Sequence, residues 1–422
     1  MSCKISKSII SGSITCPTNK SYSHRAVFIA ALSEGKSTIN NVLRSADTNS
    51  TIQACKNFGA NIIEHDNSLE ISNEIVNIKS ANIDAANSGT TIRIATAIAA
   101  LSDEKSTLTG DSSLQKRPMQ PLLDALESMG AKSSSNQGCP PISISGTITG
   151  GEIEVPGNIS SQFISALMIV SPLTQNGITL NITGNLVSKP YLDATIATMK
   201  KFGVKVQTIS EYKKYQIANQ KYKATNFTVP SDLSSLALLL SAAVLVGREF
   251  SIDVEIGDLP QGDKLFLDIL EKLGIQVVIN EKNIRVVSPE QLEGGKFDLG
   301  NTPDLLPPLS ILSLKSNNPI EIVNVHHARF KETDRIKIIC RELKKIGLKI
   351  EEKDDGMILE KSDKLISANF DSESDHRLFM AFCIVGMYVG GCTVSNPESV
   401  AVSYPNFISE MNRLGAQIDC TT

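Results

Sequence analysis

The sequence predicts an α/β protein built from six repeats of about 70 residues, each with strands and helices in the order βαβαββ. Three features indicate this fold: a recurring helix end, a recurring helix start, and helical runs of two kinds, nearly all apolar or amphipathic. A unit of this size can close its own layers, which argues against a solenoid. At 422 residues the chain is also too long for one ordinary core, and it suggests two or three domains.

The recurring helix end is a glycine between apolar residues. The glycines lie 68 to 73 residues apart, at Gly59, Gly130, Gly203, Gly274, Gly347 and Gly415. Glycine just past a helix usually adopts the left-handed conformation that caps it, and the alternating apolar residues that follow predict a strand. Each repeat therefore contains a helix-to-strand turn.

The recurring helix start is a turn or N-cap cluster followed by an apolar run. The clusters lie at residues 17–20, 86–89, 156–158, 230–232, 303–304 and 374–377. Runs such as 236–246 are apolar nearly all round, which predicts a buried inner helix beside an amphipathic outer helix in each repeat. If the inner helices direct their N-termini toward a shared cleft, their dipoles favour a polyanion there.

The segment 329–335, Arg-Phe-Lys-Glu-Thr-Asp-Arg, leads into an amphipathic helix. Asp334 suits a helix start, but Lys331 and Arg335 oppose the positive end of the helix dipole unless an anion joins them. A solvated face with local ion pairs is the alternative interpretation of such a charge run.

Cations, hydroxyls and amides also mark other predicted helix starts. The segments are Lys20-Ser21 with Arg25, Asn87-Ser88-Gly89-Thr90, Arg117-Pro118, Ser160-Ser161-Gln162, Ser188-Lys189-Pro190-Tyr191, Asp304 and Asp375-His376-Arg377. Each could be an ordinary polar cap, yet together they have the inventory that phosphate and sugar-like hydroxyls require. The segment 34–38 resembles the tail of a P-loop, but Ala30 stands where glycine is needed, so we reject a nucleotide site.

Composition limits the classes of partner. A net charge of -4 gives no reason to expect nucleic acid, and the longest apolar runs, 236–246 and 378–389, are too short for a membrane helix. The eight cysteines include no C-x-x-C pair, which indicates neither a zinc knuckle nor a disulfide framework and favours a reducing compartment. The five histidines show no metal spacing. We therefore expect a cytoplasmic protein without metal or cofactor, and nothing in the sequence calls for an oligomer.

Taken together, these segments resemble the enolpyruvyl transferase family over essentially the whole chain. The resemblance implies two domains of three repeats each, one at residues 19–229 and the other at 1–18 plus 230–422. It implies transfer of the carboxyvinyl group of phosphoenolpyruvate to the 5-hydroxyl of shikimate 3-phosphate, with release of phosphate.

The resemblance also implies a role for each motif. Asp304 would be the base near the 5-hydroxyl, Glu332 would exchange the methylene proton, and Lys20 would contact both substrates and assist phosphate departure. Shikimate 3-phosphate would be held by Lys20, Ser21, Arg25, Ser160, Ser161, Gln162, Ser188, Asp304 and Lys331. Phosphoenolpyruvate would be held by Lys20, Gly89, Arg117, Gln162, Arg335 and Arg377.

Four positions depart from the family pattern. At His327 many members have asparagine, and at Glu398 many have lysine. At Ile94, which follows the motif arginine Arg93, proline is frequent, and at Ala86 glycine is common. These departures bear on substrate affinity rather than on the reaction.

Two other functions agree less well with the sequence. A sister transferase acting on UDP-N-acetylglucosamine typically has a cysteine in the loop before the arginine matched by Arg117, and residues 103–117 contain none. A noncatalytic ring or clamp would need a broad basic face, which the net charge of -4 does not indicate.

Overall fold

The computed structural model describes residues 1–74, 76–362 and 364–421, which form two compact units. The first unit comprises Thr18–Pro230 and Asp258–Gln261, and the second comprises Met1–Pro17, Ser231–Gly257 and Gly262–Thr422. The short segment 258–261 belongs with the first unit because the Pro260 carbonyl accepts a hydrogen bond from the Tyr22 hydroxyl at 2.7 Å. The Gln261 side chain also accepts one from Asn19 Nδ2 at 2.7 Å.

The strands are short, as expected for small repeated sheets. They are β1 (Ser2–Ile5), β2 (Ile10–Thr15), β3 (Ser33–Asn40), β4 (Asn61–Glu64), β5 (Ser68–Asn73), β6 (Asn82–Asp84), β7 (Ser106–Thr109), β8 (Lys132–Asn136), β9 (Cys139–Ser145), β10 (Gly151–Pro156), β11 (Ile178–Thr183), β12 (Gln207–Ser210), β13 (Lys214–Ile217), β14 (Tyr222–Lys223), β15 (Asn226–Thr228), β16 (Gly247–Asp253), β17 (Gln276–Ile279), β18 (Asn283–Val287), β19 (Gly295–Asp298), β20 (Ile320–Val323), β21 (Lys349–Lys353), β22 (Gly356–Glu360), β23 (Asn369–Phe370), β24 (Cys392–Ser395) and β25 (Ile418–Thr421).

Two helices accompany each sheet. They are α1 (Lys20–Ala31), α2 (Ala46–Asn57), α3 (Gly89–Ala99), α4 (Gln120–Ser128), α5 (Ser161–Val170), α6 (Lys189–Lys201), α7 (Leu233–Val246), α8 (Leu265–Lys272), α9 (Leu306–Leu312), α10 (Arg335–Lys345), α11 (His376–Val389) and α12 (Phe407–Arg413).

Six sheets within the described residues share one four-strand topology, which confirms the predicted α/β fold of βαβαββ repeats. In one of them, β15 adds a fifth strand beside β3. Their strand orders are β14-β3-β5-β4, β6-β7-β9-β8 and β10-β11-β13-β12 in the first unit, and β17-β18-β16-β2, β19-β20-β22-β21 and β23-β24-β1-β25 in the second. In β6-β7-β9-β8, for example, β6 and β7 are parallel and β8 and β9 form an antiparallel hairpin. Parallel neighbours need a crossover, and α3 supplies it here.

Three of the described sheets are completed by strands from distant parts of the sequence. Strand β2 pairs with β16 in parallel. Strand β1 lies between β24 and β25, and β14 pairs with β3 in parallel. The N-terminal strands β1 and β2 therefore belong to the second unit, together with the C-terminal repeat.

The inner helices are buried on every side, as their apolar runs predicted. All residues of α7 are buried, and α1, α3, α5, α9 and α11 are buried over most of their length. Five of these helices begin with a side-chain N-cap, at Asn19, Ser88, Ser160, Asp232 and Asp375. The exception is α9, which follows the 3₁₀ turn Pro303–Leu305 without a side-chain cap. Asp304 in that turn is therefore not used as a cap.

One cysteine pair corrects the expectation of reduced, scattered thiols. Cys3 and Cys420 form a disulfide across β1 and β25, with a Cα–Cα distance of 3.9 Å. The sequence did not suggest this pair because the two residues are 417 positions apart and meet only when the C-terminal sheet closes on β1. Six other cysteines are free, and five of those are buried.

Two properties of the described residues bear on cofactors and membranes. No helix in them is both long enough and apolar enough to cross a membrane. Within residues 1–74, 76–362 and 364–421, no group of three or more His, Cys, Asp or Glu side chains could hold a metal ion.

Candidate active site

The second unit gathers three carboxylates around one guanidinium, that of Arg335. Its Nε donates to Asp375 Oδ2, its NH1 to Asp304 Oδ1 and its NH2 to Glu332 Oε2, each at 2.7 Å. The Arg335 side chain is 1% exposed and that of Asp375 is 0% exposed, whereas Asp304 and Glu332 are 14% and 15% exposed. Arg335 and Asp375 thus form the buried, structural side of the cluster. Asp304 and Glu332, two of the three catalytic residues predicted from the sequence, form its more exposed side.

Local structure explains why Arg335 enters this cluster. Asp334 is the N-cap of α10 and accepts a hydrogen bond from Lys337 N at 3.0 Å, so Arg335 occupies the first helical position. Burial by itself would lower the pKa of Arg335, but the negative charges of its three carboxylate partners outweigh burial and raise that pKa above its ordinary value. The anion that the sequence required at this helix start is therefore supplied first by the protein's own carboxylates.

Two further cations lie beside Asp304. Lys331 Nζ is 3.8 Å from Asp304 Oδ1, and Arg377 NH2 is 3.3 Å from Asp304 Oδ2. Burial lowers the pKa of Lys331, although the Asp304 charge opposes that shift. Three carboxylates, those of Asp304, Glu332 and Asp375, thus face the three cations Lys331, Arg335 and Arg377 within this cluster.

His327 lies in the 3₁₀ helix His326–Phe330, next to this cluster. It is 7% exposed, and its Nε2 receives no hydrogen bond from the described residues. Burial, with a contribution from Lys331, lowers the pKa of His327 to about 4. The imidazole is therefore neutral at neutral pH and contributes a polar uncharged group to the cluster.

In the first unit, Lys20 is held by Asp47. Lys20 Nζ lies 2.9 Å from Asp47 Oδ2, and the two side chains are 15% and 6% exposed. Asp47 is in the first turn of α2, where Ser45 and Thr48 form a capping box. The Asp47 carbonyl accepts hydrogen bonds from Ser50 Oγ at 2.7 Å and from Thr91 Oγ1 at 3.4 Å. These contacts join the starts of α1, α2 and α3.

Gly89 opens α3 where two guanidinium groups meet. A Cβ added to Gly89 would lie 2.9 Å from Arg93 NH1, 3.0 Å from Arg117 NH1 and 3.6 Å from Gln162 Oε1. Arg93 NH1 donates to Gln162 Oε1, and the Arg93 guanidinium lies over the Phe163 ring at 5.1 Å. The structure therefore brings Gly89, Arg117 and Gln162 together, as the proposed phosphoenolpyruvate contacts require.

Arg25 has a strong structural role of its own. Its Nε donates to Thr195 Oγ1 at 2.8 Å, its NH1 to the Ser21 carbonyl at 3.0 Å and its NH2 to the Tyr191 carbonyl at 3.0 Å. Burial lowers the pKa of Arg25 to about 10. The side chain thus ties α1 to α6, and its two terminal nitrogens keep further donor positions.

The sequence-predicted serines lie at helix starts of the first unit. Ser160 caps α5 by accepting a hydrogen bond from Gln162 N at 3.3 Å, and Ser161 is buried beside it. Ser188 precedes α6 with a left-handed φ of 56°. Ser160 and Ser161 therefore lie next to Gln162, and Ser188 lies at the start of the helix that Arg25 holds.

The other three departures from the family pattern lie just before α3, within α3 and in the 3₁₀ helix Pro397–Val402. Ala86 has a left-handed φ of 49°, a backbone conformation that glycine adopts without steric cost. Ile94 is buried within α3, and Glu398 is exposed in the 3₁₀ helix Pro397–Val402.

Comparison with known proteins decides the family. The model of the family described as EPSP synthase (3-phosphoshikimate 1-carboxyvinyltransferase) matches residues 5–411. The chain belongs to the EPSP synthase family.

Relatives within the EPSP synthase family match along their full lengths. A 3-phosphoshikimate 1-carboxyvinyltransferase of Nitrosopumilus maritimus (strain SCM1) is 62% identical over 419 residues, which cover 99% of each chain. One from Methanosphaera stadtmanae is 38% identical over 424 residues, which cover 98% of this chain and 99% of the relative.

Solved structures give the same result for the fold. An EPSP synthase structure from Acinetobacter baumannii superposes with a TM-score of 0.80 at 25% identity and covers 99% of this chain and 100% of that one. The family resemblance and the two-domain enolpyruvyl transferase fold expected from the sequence are confirmed.

Sequence reasoning missed three side chains that the structure places in or beside the EPSP synthase family motifs. Asp375 stands inside the motif Asp375-His376-Arg377, and Arg93 lies three residues after Asn87-Ser88-Gly89-Thr90 in the same predicted helix, but the sequence assigned neither a role. A charged residue in or next to a nearly apolar helical run was a usable signal for both. Asp47 had only the capping-box pattern Ser45-x-x-Thr48 beside it, which marks a helix start and not a partner for Lys20.

Proposed function

We propose that this chain transfers the carboxyvinyl group of phosphoenolpyruvate to the 5-hydroxyl of shikimate 3-phosphate and releases phosphate, with the residues described above as its active site. The reaction belongs to the shikimate pathway of aromatic amino acid biosynthesis. Membership of the EPSP synthase family and 62% identity to a curated 3-phosphoshikimate 1-carboxyvinyltransferase support this assignment.

The observation that carries the proposal is the cluster around Arg335. The reaction needs a base to take the hydroxyl proton and an acid to protonate the methylene carbon, and the tetrahedral adduct must then lose that carbon proton as phosphate leaves. Asp304 and Glu332 are both hydrogen-bonded to the Arg335 guanidinium, which fixes two carboxyl groups on one rigid anchor. We assign Asp304 as the base toward the 5-hydroxyl and Glu332 as the group that exchanges the methylene proton.

Cations supply the binding of two anionic substrates. Each substrate carries a phosphate and a carboxylate, so their approach to one another needs positive charge and helix N-termini. In the second unit we assign Lys331 to shikimate 3-phosphate, and Arg335 and Arg377 to phosphoenolpyruvate.

The first unit supplies the remaining contacts. We assign Lys20, Gly89, Arg117 and Gln162 to phosphoenolpyruvate, and Ser21, Arg25, Ser160, Ser161 and Ser188, again with Lys20 and Gln162, to shikimate 3-phosphate. Lys20 also protonates or neutralises the departing phosphate, and Asp47 orients its ammonium group.

We further propose that the protein acts as a cytoplasmic monomer, without metal, cofactor, nucleic acid or membrane. The net charge of -4 and the six free cysteines support this. The Cys3–Cys420 disulfide opposes a reducing compartment. Thiol alkylation before cell lysis, followed by mass spectrometry of the Cys3 peptide, tests the point, because a reduced Cys3 in vivo is expected in the cytoplasm.

Phosphate release with each candidate acceptor tests the function. Purified protein is mixed with phosphoenolpyruvate and either shikimate 3-phosphate or UDP-N-acetylglucosamine, and we expect turnover only with the first. Asp304→Asn should lower kcat at least about 100-fold, as expected for loss of a general base, whereas Asp268→Asn at an exposed site of the same unit should leave it unchanged. Turnover with the UDP-sugar alone would overturn the assignment.

A further inference from the structure

Asp263 is a buried carboxyl group that the proposed mechanism does not use. It lies in the 3₁₀ turn Gly262–Lys264 just before α8 and is 9% exposed. Ser234 Oγ donates to its Oδ2 at 2.5 Å. Its Oδ1 is buried and receives no hydrogen bond from any residue that the structure describes. An ionised carboxylate with one oxygen left unsatisfied is costly in a buried site, so this geometry favours the protonated form.

The charged groups that act on Asp263 belong to the active-site cluster and its surroundings. They are Asp304, Arg377 and Asp232, while the adjacent Lys264 is exposed. Burial and the Asp304 charge raise the pKa of Asp263 to about 7, against the lowering influence of Ser234 and Arg377. A proton on this side chain is therefore exchangeable near neutral pH.

The charge balance of the site explains why this proton matters. Asp304, Glu332 and Asp375 are already matched by Lys331, Arg335 and Arg377. Asp232 is committed as the N-cap of α7, where it accepts from Ser234 N at 2.9 Å. An ionised Asp263 would thus add a surplus negative charge beside a site that has to accept anions.

We propose that Asp263 is a positioning residue that acts as a proton switch for anion binding. The Asp263 carboxyl group holds a proton while an anionic substrate occupies the site around Asp304 and Arg377. Because Asp263 is then uncharged, the charges of Asp304 and Arg377 stay available to the substrate. This inference rests on the proposed function. When the substrate binds to protein whose Asp263 is ionised, one proton passes from the buffer to the carboxylate, and the charge of the side chain changes from −1 to zero.

Linkage between the proton and the ligand sets the expected size of the effect. If the free protein loses the Asp263 proton near pH 7 and the complex keeps it, binding takes up about 0.5 proton at pH 7 and about 0.9 at pH 8. Affinity should then fall about tenfold per pH unit above that range. An asparagine at position 263 is neutral at every pH and should abolish this contribution.

Calorimetric titration with shikimate 3-phosphate alone, which permits no turnover, measures the proton uptake directly. Heats are compared in buffers of different ionisation enthalpy at pH 7 and pH 8 for the wild type, Asp263→Asn and Asp268→Asn. The titration of the ligand phosphate is common to all three proteins, so the difference between them isolates the side chain. We expect Asp268→Asn, an exposed change on α8, to match the wild type, and Asp263→Asn to take up about 0.5 proton fewer at pH 7.

Ser234→Ala provides a second variant that keeps the carboxyl group. Removing the hydrogen bond to Oδ2 should raise the proton affinity of Asp263, so the pH at which uptake is half-maximal should move upward. The switch is overturned if the wild type and Asp263→Asn take up equal numbers of protons, or if the pH of half-maximal uptake moves downward in Ser234→Ala. Turnover of shikimate 3-phosphate in the same wild-type protein would still support the proposed function. A wild type that neither binds nor turns over shikimate 3-phosphate refutes the function and the switch together.

Discussion

Replacing Arg335 with methionine is the sharpest perturbation of this site. Methionine has a similar length but no charge, so the substitution removes four hydrogen bonds to Asp304, Glu332 and Asp375 without opening a large cavity. The fully buried Asp375 then lacks its counter-ion, and the two catalytic carboxyl groups lose their common anchor.

The size of the effect follows from burial. Breaking a buried ion pair by removing one partner costs about 3–5 kcal/mol, because the remaining charge is left uncompensated. The Arg335 side chain is 1% exposed and Asp375 is 0% exposed, so the value for buried pairs applies rather than the ~0–1 kcal/mol of a surface pair. We also expect kcat to fall about 100-fold or more, since a misplacement of about 1 Å in a catalytic group has that effect.

Urea unfolding and steady-state phosphate release measure the two consequences. Arg285→Met, at an exposed position of the same unit, is the matched control and should change stability by less than about 0.5 kcal/mol. Arg335→Lys should cost less than Arg335→Met, because the charge is kept while the forked geometry is lost.

A double-mutant cycle with Asp375→Asn separates ion pairing from packing. Asparagine still caps α11, so this change removes mainly the charge of Asp375. The double variant should be more stable than the sum of the single effects predicts, by about 1–3 kcal/mol. Additive costs, or an Arg335→Met cost as small as that of the Arg285 control, would refute the reasoning.

The structure supports three further predictions. Asp47→Asn should lower kcat about 10-fold to 100-fold with unchanged folding by circular dichroism, because Lys20 loses its buried partner; kinetics equal to the wild type would remove Asp47 from the site. Ala86→Gly should stabilise the protein by about 0.5–1 kcal/mol in urea unfolding, since glycine adopts a φ of 49° without steric cost, and a destabilised variant would contradict this. As the pH falls from 8 to 5, His327→Asn should gain about 2 kcal/mol of stability relative to the wild type. The pKa of His327 is about 4 in the folded protein and higher in the unfolded chain, so the wild type loses stability as the pH falls through this range. Parallel curves of unfolding free energy against pH for the two proteins would disprove it.

Local signals in the sequence were sufficient for the repeat architecture. A capping glycine such as Gly203 depends on its own φ of 83°, and an N-cap such as Ser88 depends on an amide three residues away. The interactions involved are short-range in sequence, so they recur in each repeat and can be recognised one by one.

The pairing within the site could be predicted only in part. Motif matches located Asp304, Lys331 and Arg377, but no local pattern showed that Arg335 would contact residues 31 and 40 positions away. No sequence pattern indicated a functional role for Asp263, because an aspartate just before a helix is usually an ordinary N-cap.

By itself, the sequence determined the six βαβαββ repeats, the burial of the inner helices and the family motifs, because periodicity and capping are properties of neighbouring residues. Only the tertiary structure decided which carboxylate meets which cation, that Asp47 holds Lys20, and that Cys3 meets Cys420 across 417 positions. Charge pairing and pKa depend on distances and burial, and these exist only after distant segments have packed together.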